Sequence, residues 1–299
     1  MRCTISRTGA RRVGRCALTA AFVACLTSAG RASDVPSQDL DATAVNRRVT
    51  DPVSTTWSLQ LKNSVSLLDL ERHGIHAQDQ LQFQPTMPVR LTDDLKLIAR
   101  PQFTLLNDTA YVNAAGGVTR TTGVGDMTFD LVLSPILGRW LFALGPTFVL
   151  PTANLKQTGQ GKWQMGPAGV LGYKTPRWLA SLIWQQWWSF AGAADRRAVS
   201  ELHVQYIANY FFGDGWNVGT APTIKVNWRA TTGEAVTFPF GPAIGKVVKF
   251  GALPVKFELR GMYVPVHPQG GADGIVEVLI TPVVPALIAA PLFGAAPSP

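Results

Sequence analysis

The sequence predicts an all-β chain closed as a single antiparallel transmembrane β-barrel of about twelve strands. Three observations carry that prediction. Apolar and polar residues alternate over runs of about ten residues, the length that crosses a bilayer at a tilt. The runs begin and end on aromatic residues, as expected where strand ends meet lipid headgroups. The connections alternate in length, as in outer-membrane barrels with short periplasmic turns and longer outer loops.

The clearest pair is the hairpin from Trp163 to Phe190. Trp163, Met165, Pro167, Leu171 and Tyr173 share one face, with Gln164, Gly166, Ala168, Val170 and Gly172 on the other. After Lys174–Arg177, a second run puts Trp178, Ala180, Leu182, Trp184, Trp188 and Phe190 on one side. These are strands six and seven.

Residues 1–32 read as a secretory signal peptide, with a basic start (Arg2, Arg7, Arg11, Arg12, Arg15), an apolar stretch Ala17–Leu26 and small residues near Ala29–Ala32. Six of the 27 basic residues lie there and no acids do, which leaves 21 basic against 19 acidic residues, a net +2. The basic balance is therefore targeting sequence and gives no reason to expect nucleic acid as a partner. Cys3, Cys16 and Cys25 also lie in the leader. A mature chain without thiols suits export through an oxidising periplasm. The apolar tract Val276–Pro297 is interrupted by Pro282, Pro285 and Pro291, so it does not read as a membrane helix.

Residues 33–56 are polar and unpatterned, and read as a periplasmic N-terminal arm or a short plug. The barrel is expected over 57–285. Strand one is Trp57–Leu67, strand two Asp79–Leu91 and strand three Leu95–Leu105, with odd-numbered apolar residues against Gln, Lys, Arg and Thr. Strand four is Gly123–Ser134 and strand five Trp140–Leu150. Strands eight to twelve are Ser200–Phe211, Trp216–Trp228, Val236–Val248, Leu253–Val264 and Gly274–Val284. The short connections are 92–94, 135–139, 174–177, 212–215 and 249–252. The long ones are 68–78, 106–122, 151–162, 191–199, 229–235 and 265–273. Trp57, Trp140, Trp178 and Trp216 mark the short-turn rim, and Trp163, Trp188 and Trp228 the other. A soluble sandwich or lipocalin-like barrel uses the same alternation, but one face here carries roughly sixty large apolar side chains, more than a small barrel's interior holds. A Pro/Ala-rich tail, 286–299, ends the chain.

Several short motifs then occur in a recognisable order. They are Gly123–Met127, Leu144–Pro146 with Leu150–Thr152, Gly161–Pro167, Trp187–Gly192, Asp214–Trp216, and Gly245–Lys246 through Leu253–Pro254. As an ordered set spanning about Trp57 to Pro285, they resemble the bacterial outer-membrane family labelled meta-pathway phenol-degradation proteins or transporters, often named "neuromedin U". The resemblance implies an outer-membrane barrel that moves solutes, with an aromatic substrate suggested by the label alone. It supplies no catalytic residues. The chain departs from such barrels at its last strand, where Ile280–Pro285 lacks the aromatic that the barrel-assembly machinery reads.

Enzyme motifs are missing: there is no nucleophile elbow, P-loop, dinucleotide fingerprint or zinc-protease motif. No cofactor and no metal is expected. A barrel phospholipase would need a serine beside His203, and none stands out. His73 and His76 lie in a loop without a third ligand. What chemistry there is lies in the inward rows, whose pore-lining candidates are Arg90, Lys96, Arg100, Asp126, Asp130, Glu201, His203, Lys225, Lys256, Glu258, Arg260 and Glu277. Arg100 and Asp130 are expected to pair mid-wall, bracketed by Arg90 and Lys96. Arg260 is expected to face Glu277, and Lys225 to lie near Glu201 and His203. Such pairs either brace the wall or form a constriction that selects by charge. Charges of both signs argue against strong selectivity for either, and small inward residues on strands five to seven argue for open space. Three functions follow: an outer-membrane channel or transporter for small solutes, aromatic or apolar ones included; a structural or surface-interaction barrel with a plugged lumen; and a barrel phospholipase. Lipid, a small solute and the assembly machinery are the expected partners.

Overall fold

The computed structural model describes residues 41–288 and 290–293. Residues 1–32, expected as a signal peptide, and residues 33–40, like residue 289 and the tail beyond 293, lie outside the described residues. Fifteen strand segments make one sheet. They are β1 (Trp57–Asp69), β2 (Ile75–Arg90), β3 (Leu95–Val112), β4 (Val118–Gly123), β5 (Met127–Pro135), β6 (Trp140–Leu150), β7 (Lys162–Lys174), β8 (Trp178–Gly192), β9 (Ser200–Phe212), β10 (Trp216–Thr220), β11 (Thr223–Asn227), β12 (Val236–Phe240), β13 (Ala243–Phe250), β14 (Leu253–Val266) and β15 (Ala272–Val284). Three pairs of segments, β4/β5, β10/β11 and β12/β13, are each one stave with a break, so the staves number twelve. β1 pairs antiparallel with β15 from Trp57↔Val284 to Leu68↔Ala272 and closes the sheet. Closure removes the edges whose unpaired N–H and C=O groups lipid cannot satisfy.

Period two sets the two faces. Leu133, Phe142, Leu144, Leu171, Leu182, Leu259 and Val276 are exposed on the outer face. That belt is stable only against lipid. Trp140 and Trp178 at the short-turn rim, and Trp163, Trp188 and Trp228 at the other, are exposed as an interfacial girdle. Two rim tryptophans differ. Trp57 is buried and donates from Nε1 to the Pro88 carbonyl at 2.8 Å. Trp216 lies under the Lys246 ammonium, 4.7 Å from its ring centroid.

Two of the three breaks occur where the ladder has no donor. Pro222 separates β10 from β11, and Gly241–Pro242 separates β12 from β13. Side chains bridge the gap: Thr220 Oγ1 donates to the Gly241 carbonyl at 2.7 Å and the Tyr206 hydroxyl to Pro239 at 2.9 Å.

Two expectations change. The segment expected as the loop 106–122 is largely strand, since β3 runs on to Val112 and pairs with β4 from Asn107↔Gly123 to Val112↔Val118. A bulge opposite Leu81/Gln82 reverses the faces there and turns Asn107 and Thr109 inward. Beyond the membrane there is no lipid–lumen contrast, so alternation disappears while the strand continues.

The second change concerns the segment before β1. Ala42–Thr50 forms a helix, α1, ended by Asp51, whose extended backbone (ψ 113°) is what the following Pro52 requires. α1 sits against the short-turn end of the barrel. Asn46 is fully buried and its Nδ2 donates to the Gly215 carbonyl at 2.7 Å and Asn217 Oδ1 at 2.9 Å. Gly215 returns an N–H to Thr43 Oγ1 at 3.0 Å. Gly215 has φ +76°, and a Cβ there would lie 2.9 Å from the Ala42 Cβ, so only glycine lets the helix dock. Below the lumen, Val53 packs with the inward residues Ile98, Val132, Leu141, Ala143, Ala168, Val170, Leu179 and Phe211. The small inward residues expected to leave open space are thus packed at this end, while the space lies above them.

Candidate functional site

A cavity of ≈ 610 Å³ occupies the barrel lumen. Its walls come from the even positions of β1 to β3 (Ser58 to Ser66, Gln78 to Thr86, Arg100 to Thr104) and the odd positions of β8, β9 and β15. Ten glutamines line it, so amide groups, which donate and accept, dominate the surface. Arg48 to Pro52 close it from below, and Thr158 to Gln160 of the loop between β6 and β7 reach in from above.

The charged residues fall into groups. On β1, β14 and β15, Lys62, Glu277, Arg260, Glu258 and Lys256 form one chain. Lys62 is 3.4 Å from Glu277, Arg260 is 3.2 Å from Glu277 and 2.6 Å from Glu258, and Lys256 is 2.5 Å from Glu258. Lys256 Nζ also donates to Thr50 Oγ1 at 2.7 Å, so the chain ends on α1. Arg260 and Glu277 are direct cross-strand partners, as the register predicts.

Across the lumen, Arg100 and Asp130 are Cα partners but do not pair. Arg100 Nη2 donates to the Pro52 carbonyl at 2.8 Å. Asp130 instead accepts from Thr147 Oγ1 at 2.6 Å and Gln185 Nε2 at 2.8 Å. The expected ion pair gives way because the segment before β1 offers Arg100 a nearer acceptor. Neither bracketing residue lines the cavity. Lys96 points inward but is 6% exposed, with Asp51 and Lys174 as its charged neighbours. Arg90 ends β2, where its carbonyl accepts the Leu292 N–H at 3.1 Å.

Asp126, in the break between β4 and β5, accepts the N–H groups of Gln160 at 2.6 Å and Ala153 at 3.1 Å. It holds the loop 151–161 over the lumen, and Arg196 holds the same loop through the carbonyls of Lys156, Gly159 and Gln160. Glu201 accepts from Gln160 Nε2 at 2.8 Å and lies 3.7 Å from His203 Nε2. His203 is edge-on to Trp187, ring centroids 4.7 Å apart. Lys225 is the cross-strand partner of His203, and it projects into the cavity without a hydrogen bond or ion pair among the described residues.

Lys62 and the glutamine row share the parity of the candidates named from sequence, and the same count finds them. Arg48, Asp51 and Lys174 carried no periodic signal. Asp51 joins Lys174 at 2.5 Å and accepts the Val53 N–H at 2.9 Å. Beneath them lies a second cavity of ≈ 380 Å³ at the short-turn mouth, lined by Arg47, Arg48, Arg139 and Lys174 with Leu179 and Phe211. Arg48 and Asp51 line both cavities and form the neck between them.

Residues 81–227 match the model of a family described as "Putative MetA-pathway of phenol degradation". It is the family that the ordered motifs resemble, and the motifs from Gly123 to Trp216 fall within the match. Among solved structures, the chain is similar to the COG4313 outer membrane channel from Pseudomonas putida F1, at 15% identity over 79% of this chain and 98% of that one, with a TM-score of 0.60. It is also similar to the CymD monoaromatic hydrocarbon channel, at 9% identity over 84% of this chain and 92% of that one, with a TM-score of 0.41. No curated protein matches the chain. The fold shared with the first of these is that of an outer-membrane β-barrel, and the lipid-facing belt and aromatic girdle place this chain in that membrane.

Proposed function

We propose that the protein is an outer-membrane channel for small solutes. The observation that carries this reading is the polar lumen cavity, walled by amides, hydroxyls and charges inside a lipid-facing belt. A wall needs no such interior, because buried polar groups stabilise less than packed apolar ones. The lining favours solutes that hydrogen-bond, so an aromatic passenger is expected to carry a hydroxyl or carboxylate. The description of the matched phenol-degradation family agrees with a small aromatic passenger. The lining charges then act as the selectivity surface, and lipid, solute and assembly machinery are the partners. We propose no catalytic step: His203 is engaged with Trp187 and Glu201, and among the described residues no serine hydroxyl bonds to it.

A second reading is a structural barrel with a plugged lumen. It is favoured by α1 and the apolar cluster around Val53, which fill the short-turn end. Conductance of the purified protein in planar bilayers, alongside a variant lacking residues 41–54, separates the two. A channel conducts in the parent protein and more strongly in the variant; a structural barrel is silent in the parent protein and conducts only once its plug is removed.

A further inference from the structure

The lumen holds equal numbers of opposite charges: among the described residues, six carboxylates and six cations line the main cavity. Counting charges therefore predicts no preference, but their bonding differs. Every one of the six carboxylates accepts hydrogen bonds or ion pairs from protein groups: Asp51, Asp126, Asp130, Glu201, Glu258 and Glu277. Four of the cations are likewise engaged, as described above. Lys225 and Arg48 are not. Both are exposed to the lumen, and neither makes a hydrogen bond or ion pair among the described residues.

An entering cation thus meets carboxylates whose lone pairs are already used by protein donors. An entering anion meets two donors with nothing to give up, and charge-assisted hydrogen bonds are the strong ones. The two donors are also in series. Lys225 lies in the long-loop half of its stave, and Arg48 stands at the neck. Past the neck, the inner cavity presents Arg47, Arg139 and Lys174 against Asp51 alone, beside the apolar surfaces of Leu179 and Phe211.

We infer that the lumen is an anion-binding path with stations at Lys225 and Arg48, and that its solutes are small organic anions, a carboxylate on an apolar body. This rests on the channel reading above and names its substrate class. A carboxylate binds first at Lys225, then exchanges to Arg48, whose guanidinium takes it in a bidentate grip. The inner cavity receives the apolar body on Leu179 and Phe211.

The test uses benzoate as probe, with benzyl alcohol as its neutral counterpart and bilayers of zwitterionic lipid so that no anionic headgroup competes. The reversal potential in a KCl gradient should favour chloride, and benzoate should block the current. Lys225→Gln and Arg48→Gln should each raise the half-blocking concentration about tenfold, the loss of one charge-assisted hydrogen bond. Each should also lower the ratio of benzoate to benzyl alcohol flux into liposomes. Cation preference, or an unchanged half-blocking concentration in both variants, overturns the inference while leaving the channel reading intact. Absence of current in the parent protein overturns the channel reading instead. In that case benzoate binding to the folded barrel in detergent decides the site: heat stability rises with benzoate in the parent protein and not in Lys225→Gln, or the site is refuted. The heat-modifiable band on gels checks that each variant folds.

Discussion

Glu258 sits between Lys256 and Arg260, and all three side chains are nearly buried. Removing one partner from such a group leaves an uncompensated charge and costs about 3–5 kcal/mol, far more than the pair contributes over apolar neighbours. Arg260→Ala should therefore lower the temperature at which the folded band converts to the unfolded one, because Glu258 and Glu277 lose their shared partner. The double change with Glu258→Gln should recover part of the loss. Arg100→Ala should behave differently. Its guanidinium caps the Pro52 carbonyl, so the expected outcome is a looser segment before β1, read as larger current fluctuations, with barrel stability little changed. The contrast shows how far side-chain partners were legible in the sequence. Arg260 and Glu277 lie on two regular strands, and register alone joins them. Arg100 finds a partner 48 residues away, in a segment with no period to read.

At the scale of elements, two pieces of chain narrow the lumen from opposite ends. α1 is fixed by Asn46, by Lys256 through Thr50, and by the Lys174–Asp51 pair. Deleting residues 41–54 removes the neck, so single-channel conductance should rise and the binding step at Arg48 should vanish. The loop 151–161 depends on Asp126 and Arg196. Asp126→Ala leaves the N–H groups of Ala153 and Gln160 without their acceptor, and protease added to intact cells should then cut this loop faster. An unchanged cutting rate would mean that Arg196 and the loop's other anchors, among them Gln160 to Glu201 and Thr158 to the Val124 carbonyl, suffice. Twelve staves could be read from alternation because lipid and lumen impose opposite chemistry on successive residues. Neither α1 nor the β3–β4 extension meets that contrast. α1 has a single apolar contact face three turns long or less, and the extension mixes polar and apolar residues on both sides.

The whole molecule is oriented by its connections and its girdle. The turns at one end are two to four residues long, whereas the other end carries the β3–β4 hairpin and the loops 151–161, 193–199 and 228–235. In an outer-membrane barrel the short turns face the periplasm. α1 docks at that same end, on the turn around Gly215, which fits a chain delivered from the periplasmic side with its N-terminal segment still there when the barrel closes. The orientation can be tested without background labelling, because the three cysteines lie at positions 3, 16 and 25, within the expected leader. A single cysteine at Ala114 or Arg197, both exposed at the long-loop end, should react with a membrane-impermeant maleimide on intact cells. One at Asp93 or Asp214, both exposed at the short turns, should react only after the outer membrane is opened. The reverse pattern would invert the barrel and put α1 at the cell surface, and Arg48 would then meet solutes before Lys225.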